Sequence, residues 1–337
     1  MKKHKKECSG YPIDFVLIWV DGNDPKWRKE LNKLKGIEGD ARDERFRDMD
    51  TLRYWFRGIE KNAPWFNKLY FVTCGQRPDW LNTEHPKLVC IDHKDFIPHK
   101  YLPTFSSHAI EINLHRIEGL SEHFVYFNDD TFIISPTSRE DFFIDGLPCD
   151  SAVINYSAPQ AEPLNLVPFV NAAAINRNFN KQKVMREQAA KLFTLKYHKY
   201  ILKNIQFIMG KWFPGFKYFH IPSSFLKSTF FEVWEKEPEL MERTSSHQLR
   251  VLTDANQWLM QNWQICTGNF MPRDTKMSYY GSIENEKKLY ETVAAIRSRK
   301  YKILCANDAD IDNFELLKKE LRAAFEEVLP EKCSFER

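Results

Sequence analysis

Four turns rich in aspartate, asparagine and glycine stand out as places where chemistry could sit. They are Asp21-Gly22-Asn23-Asp24, Gly75-Gln76-Arg77-Pro78, Asn128-Asp129-Asp130 and Asn307-Asp308. Each alone is equally at home as a solvated turn, because these residue types are ordinary turn formers. Asn128-Asp129-Asp130 is more specific. Two adjacent carboxylates repel each other and hold protons more tightly unless a cation lies nearby. A hard divalent ion with oxygen ligands, Mg²⁺ or Mn²⁺, removes that conflict and also grips phosphate oxygens. Asp308 would add a third carboxylate if its segment ran beside the one before Asn128. Cationic side chains supply the complement: Arg42, Arg45, Arg53 and Arg57 around one amphipathic stretch, His115-Arg116 after another, and Arg250 between His247 and Asp254. Arginine forks suit phosphate, although a surface ion pair is the commoner use of any single one. His220, before Ile221-Pro222, fits a general base, a phosphate contact or a buried structural histidine.

The elements that position these turns follow from hydrophobic periodicity. Ile13 to Val20 is a continuous apolar run, the pattern of a strand buried on both faces. Lys68 to Cys74, Leu88 to Asp92 and Phe124 to Phe127 read as further strands, and Tyr301 to Leu304 as a late one. Phe46, Met49, Leu52, Phe56 and Ile59 recur at helical spacing, and Ser107 to Leu120 reads as a second helix. Further helices are expected near 224–241, 254–265 and 313–329. Strands separated by helices predict an α/β fold with a mainly parallel sheet, in which ligands bind at the carboxyl ends of the strands.

Composition bounds the rest. With 43% hydrophobic and 14% aromatic residues, the 337-residue chain has apolar surface enough to fold, which excludes a disordered protein. Its 49 basic and 46 acidic residues leave a net charge of +3, which argues against a dedicated nucleic-acid binder. No apolar run reaches the roughly 18–20 residues of a membrane span. The basic start, Met1 to Lys6, precedes no apolar stretch of signal-peptide length, and the seven cysteines include no Cys-x-x-Cys pair. Both predict reduced thiols and a cytoplasmic protein. Residues 181–217 hold nine Lys and Arg against the single acid Glu187, interleaved with aromatics. That pattern is either a solvated helical face over a core stripe or a peripheral contact with an anionic membrane surface.

Four separated segments together resemble the Stealth family. Ile13-Asp14-Phe15-Val16-Leu17-Ile18-Trp19-Val20-Asp21-Gly22-Asn23-Asp24-Pro25 is similar to its first conserved region. Arg45-Phe46, Leu52-Arg53-Tyr54, Ala63-Pro64-Trp65, Leu102 to Ser107, Leu114-His115-Arg116-Ile117 and Asn128-Asp129-Asp130 resemble the second. His220-Ile221-Pro222 resembles the third, and Thr244 to Gly268 with Asn307-Asp308 the fourth. Two departures stand out: Asp21 replaces the asparagine of many members, and Ser223 stands where some carry a second histidine.

The resemblance implies transfer of a sugar-1-phosphate from a nucleotide-diphosphate sugar to a hydroxyl of a glycan or lipid-linked glycan, in capsular or cell-surface polysaccharide synthesis. It also implies a Rossmann-like, GT-A-type nucleotide-sugar fold carrying a helical insertion, and a divalent metal. On that expectation Asp129, Asp130 and Asp308 hold the metal, and Arg250 and Arg116 neutralise the diphosphate. His220 or Asp24 accepts the hydroxyl proton, while Asp21, Gly22, Asn23, Gln76, Arg53 and His115 bind the donor. Residues 1–150 and 223–337 would form the two halves of the catalytic domain, separated by the basic, aromatic insertion 151–222. The rival expectations are a metal-dependent glycosyltransferase, which would release a nucleoside diphosphate, and a non-catalytic carbohydrate- or membrane-binding protein.

Overall fold

The computed structural model describes residues 10–34, 36, 46–156, 166–309 and 311–337; Arg42 and Arg45 lie outside them. Eleven strands are present among these residues. In chain order they are β1 (Ile13–Ile18), β2 (Leu69–Thr73), β3 (Leu88–Asp92), β4 (His123–Phe127), β5 (Thr131–Ile133), β6 (Phe143–Ile144), β7 (Leu147–Asp150), β8 (Ser223–Leu226), β9 (Met271–Pro272), β10 (Ser278–Ile283) and β11 (Ile303–Asp308).

The central sheet has the order β3-β2-β1-β4-β8, parallel except for the edge strand β8. This is the mainly parallel α/β sheet that the sequence predicts. The run in β1 is apolar throughout because successive side chains enter opposite cores. Phe15 and Leu17 join a cluster with Trp55, Phe71 and Phe127, while Val16 joins Tyr70, Phe124 and Tyr126 on the other face. A second sheet, β10-β11-β5, begins immediately past β4, with β11 antiparallel to β5. The late strand therefore lies beside β5 rather than β4. The turn Asn128-Asp129-Asp130 is the hinge between the two sheets, closed by Thr131, whose amide and hydroxyl both donate to the Asn128 carbonyl at 3.1 and 2.7 Å.

Several local expectations need correcting. Pro25 opens a helix, Pro25–Asn32, instead of ending a turn, with Asp24 as its N-cap. The helix expected from Phe46 starts only at Leu52, because Asp50 adopts a left-handed φ of 55° and the chain before it is irregular. Phe46 instead packs on Trp27, ring to ring at 4.9 Å. The second helix stops at Asn113 and continues as a short 3-10 turn to Arg116. The stretch 224–241 begins as β8, pairing with β4. It then forms two helices, Lys227–Lys236 and Pro238–Ser246, divided by a proline that only a first helical turn accommodates. Strand β10 and the helix Glu286–Ser298 have no counterpart in the sequence reading. Between the sheets' two halves, residues 167–206 supply four helices: Val167–Asn178, Lys181–Glu187, Ala189–Leu192 and Ile201–Gln206. Among the described residues, no helix is long and apolar enough to cross a membrane.

Arg57 is an anchor for the chain terminus and not a phosphate contact. From the helix Leu52–Asn62 its guanidinium donates to both oxygens of Glu336, at 2.7 and 3.1 Å. It also donates to Glu326 at 3.1 Å and to the Leu329 carbonyl at 2.9 Å. The Glu336 side chain is wholly buried and that of Arg57 nearly so. This clamp lays residues 334–337 against Trp80 and Asn82, where the Arg337 amide meets the Trp80 carbonyl at 2.8 Å. Removing one partner of such a pair strands the other without solvent. Arg57→Met should therefore lower the unfolding free energy by about 3 kcal/mol in a urea titration; a loss within experimental scatter would contradict the clamp.

Candidate active site

Asp129 and Asp130 emerge from the apolar strand β4 into a setting that opposes their ionisation. Desolvation by the surrounding chain, reinforced by the charges of Asp130 and Asp48, raises the Asp129 carboxyl even though the residue keeps an exposed face. Burial raises Asp130 as well, although His220, Cys305 and Arg250 pull in the other direction. One Asp130 oxygen, Oδ2, accepts from the Cys305 thiol at 3.4 Å, while its Oδ1 is buried without a hydrogen-bond partner. An adjacent carboxylate pair, open to solvent on the Asp129 side and with an unsatisfied oxygen, fits a hard cation, which prefers anionic oxygen ligands. Asp308 does not complete the pair: its carboxylate meets the Arg47 guanidinium at 2.7 Å. Among the described residues no three His, Cys, Asp or Glu side chains stand together as a ready ligand set.

His220 lies across from Asp130 and its backbone is strained. Its φ of 44° lies in the left-handed region that a β-carbon disfavours, a cost that recurs at functional sites. Two aromatic rings hold it there. Tyr280 from β10 stacks on the imidazole at 4.9 Å, and Trp258 from the helix Gln257–Thr267 meets it edge-on at 5.0 Å. Burial lowers the proton affinity of His220 more than the Asp130 charge restores it, so the neutral ring is favoured.

Arg250 is the cation that bears on both carboxylates, lowering the proton affinity of Asp129 and Asp130. Its loop is fixed by a network that sequence reading passes over. Buried Asp254 takes His108 Nδ1 at 3.1 Å, His247 Nδ1 at 2.6 Å and the Val251 amide at 2.9 Å. Buried Glu111 accepts from Tyr126 at 3.1 Å, tying the same region to β4. Asp48 is the other residue missed. It approaches Asp129 because the first turn crosses the 46–50 segment closely, and a β-carbon on Gly22 would lie 1.9 Å from the Phe46 carbonyl oxygen. Burial raises the Asp48 carboxyl too, with Asp50 and Asp21 adding to the effect. The signal available in the sequence was a pair of acids, Asp48 and Asp50, just before the helix.

The remaining expected residues divide. Asp21 and Arg53 line one cleft of about 750 Å³ with Trp19, Asp48 and Trp80. Arg53 there lies 4.9 Å from the Trp80 ring and 3.5 Å from Glu336. Gln76 clamps the first turn: it accepts from the Asp21 amide at 2.8 Å and donates to the Asp21 carbonyl and to Asp24, each at 3.0 Å. Asn23 closes the same turn through its amide on Asp21 Oδ1. Asp24 is thus a half-buried cap, and the Gln76 hydrogen bond and the Lys26 amide hold its carboxyl below the usual range, which makes it a poor base. Arg116 and His115 are at the wrong end of the sheet. They precede β4, whereas the carboxylates follow it. Arg116 is exposed, bonded to Asn113 at 2.9 Å and placed over Trp234 at 4.5 Å. His115 is a core residue among Phe230, Phe231 and Trp234, and burial pushes it down to about 3.

That last value has a consequence for stability. Between its ordinary value of 6.5 and about 3, His115 binds a proton only in the unfolded chain, so folding stability falls as pH drops through this window. His115→Phe should flatten the decline in urea midpoint between pH 7 and pH 5; an unchanged slope would remove His115 as a cause.

Comparison with known proteins adds the family. Stealth protein conserved region 1 matches residues 11–39, and conserved region 2 matches residues 45–149. The capsular polysaccharide phosphotransferase WcwK of Streptococcus pneumoniae is 41% identical over 330 residues, 96% of this chain and 98% of its own. The exopolysaccharide phosphotransferase cps2G of Lactiplantibacillus plantarum is 38% identical, over 97% of each chain. The receptor polysaccharide phosphotransferase WefC of Streptococcus oralis is 36% identical, over 96% of this chain and 99% of its own. Among solved structures, the galactosyltransferase LgtC with donor and acceptor sugar analogues aligns over 92% of this chain and 95% of its own, at 9% identity and a TM-score of 0.39.

Proposed function

The chain belongs to the Stealth family of bacterial polysaccharide phosphotransferases, and on that premise we propose how its own residues carry the reaction. It transfers a sugar phosphate to a glycan acceptor in capsular or exopolysaccharide synthesis. In this reading the donor is a nucleotide-diphosphate sugar, and an acceptor hydroxyl attacks the phosphorus that carries the sugar. The bond from that phosphorus to the bridging oxygen breaks, and a nucleoside monophosphate leaves with the electron pair. The sugar phosphate stays on the acceptor as a phosphodiester. Because the nucleophile comes from the acceptor, the protein needs a base and charge neutralisation but no nucleophile of its own.

His220 is the base. A neutral imidazole, half-buried and clamped between Tyr280 and Trp258 beside Asp130, is ready to take the hydroxyl proton on a ring nitrogen. Arg250, held by the Asp254 network, faces the charge that spreads over the phosphoryl oxygens in the transition state. A divalent cation, Mg²⁺ or Mn²⁺, on Asp129 and Asp130 would supply further neutralisation of the diphosphate. The single observation that carries this assignment is the adjacent carboxylate pair with its enclosed, unpartnered Asp130 Oδ1. The cleft walled by Trp19 and Trp80 suits a nucleoside, with flat faces for the base and Asp21 for a ribose hydroxyl.

The test is to supply a panel of nucleotide sugars with Mg²⁺ and a glycan acceptor, then identify the nucleotide released. A nucleoside monophosphate is expected, and a nucleoside diphosphate would replace this reading with glycosyl transfer. His220→Gln should lower kcat by about 10²–10⁴-fold with KM little changed. Asp24→Asn should leave kcat near the wild-type value; the reverse pattern would move the base to the first turn.

A further inference from the structure

The exposed apolar bulk of this protein is concentrated in one stretch of the chain. Of eleven large apolar side chains exposed among the described residues, seven fall between Tyr156 and Trp212, so the surface is uneven and not merely sprinkled with apolar groups. Leu195 is 84% exposed, Met209 82% and Leu202 65%. The display is built, not loose. In the helix Ile201–Gln206, buried Asn204 accepts from the Ile154 amide at 2.7 Å and donates to the Ala152 and Leu192 carbonyls at 2.8 and 2.6 Å. With that face pinned inward, Leu202 and Ile205 point to solvent. The turn that follows is held by Lys181 Nζ on the Met209 and Gly210 carbonyls at 2.9 and 3.2 Å, and by Gln182 on Gly210 at 2.8 Å. Met209 and Trp212 are thereby presented outward beside Leu202 and Ile205.

The charge around these tips is of one sign. Residues 181–217 carry nine Lys and Arg against Glu187 alone. Lys211 lies 4.6 Å from the Trp212 ring and Lys203 5.5 Å from the Tyr156 ring, so ammonium groups flank the apolar tips. Lys199, Lys203 and Lys217 are close enough that the first two, with burial, depress the third. Such a face would repel a second copy of itself, whereas it complements a surface that is negative outside and apolar beneath.

We propose that the surface formed by Leu202, Ile205, Met209 and Trp212 and flanked by Lys199, Lys203 and Lys211 docks on an anionic phospholipid bilayer. The apolar tips enter the headgroup boundary, where tryptophan is favoured, and the lysines meet lipid phosphates. The basic cluster reaches toward the base along the chain: Lys217 lies 5.5 Å from the Tyr200 ring and 5.2 Å from that of Phe219, the residue before His220. Docking there would bring the base close to acceptors held at a membrane. Binding itself requires nothing of the transfer reaction, so it succeeds or fails independently of that assignment.

The experiment is co-sedimentation of the full chain with vesicles rich in phosphatidylglycerol, against vesicles of pure phosphatidylcholine. Affinity for the anionic vesicles should be at least about tenfold higher and should fall with added salt. Met209→Ser/Trp212→Ser and Lys199→Glu/Lys203→Glu should each weaken it by about tenfold or more, with thermal melting little changed because Met209, Trp212 and Lys199 are exposed and Lys203 is only half-buried. Equal partition onto both vesicle types, no sedimentation with either, or variants that bind as the wild type does would each overturn the proposal. So would a concentration-dependent dimer that Trp212→Ser abolishes, since the face would then be an interface between copies.

Discussion

The structure turns on two neighbouring carboxylates whose charge the protein satisfies only in part. Asp129 and Asp130 sit at the hinge between two sheets, Asp129 exposed and Asp130 half-buried, with Oδ1 of Asp130 enclosed and without a hydrogen-bond partner. A folded chain gains nothing from such an arrangement by itself, because adjacent like charges repel and an enclosed carboxylate oxygen without a partner costs free energy. Its persistence calls for a counter-charge, and the surroundings supply only part of one. Arg250 bears on both acids, His220 on Asp130, and Arg47 is occupied by Asp308.

Most of the remaining architecture serves that hinge. Four parallel strands bring the first turn and the Asn128 turn to one edge, and β11 crosses antiparallel to β5 so that the Ala306 amide pins the Asp130 carbonyl at 2.9 Å. Gln76 locks the first turn, whose glycine lets the 46–50 segment pass closely enough for Asp48 to join the acids. The Asp254 network fixes the loop of Arg250, and two aromatic rings hold His220 in a backbone conformation it would not adopt freely. The Arg57 clamp works at longer range, folding the chain terminus over the aromatic cleft.

What the sequence disclosed was whatever local pattern determines. The β1 run was legible because burial on both faces leaves no polar position to break it, and Asn128-Asp129-Asp130 was legible because adjacent acids after an apolar strand are rarely idle. What long side chains reach was hidden. Arg57, Arg116 and His115 occupy positions that suit a phosphate site on paper. Yet one clamps the terminus, one lies beyond the opposite end of β4, and one is core. The Ser-Ser-Phe-Leu of β8 looked helical because the pairing with β4 that makes it a strand is nonlocal. Asp48 escaped notice because a left-handed residue at Asp50, invisible to periodicity, ends the helix that would have carried it elsewhere.

The central claim is that the carboxylate pair is a cost retained for a cation, and thermal stability tests it most directly. The melting temperature of wild type and Asp130→Asn should be measured with and without Mg²⁺. Without metal the variant should melt higher, since the repulsion between the two adjacent carboxylates is gone. With metal the wild type should gain stability by mass action and the variant should not. A variant that melts lower without metal, together with a wild type indifferent to Mg²⁺, would mean that the pair is satisfied by the protein alone and that the account is wrong.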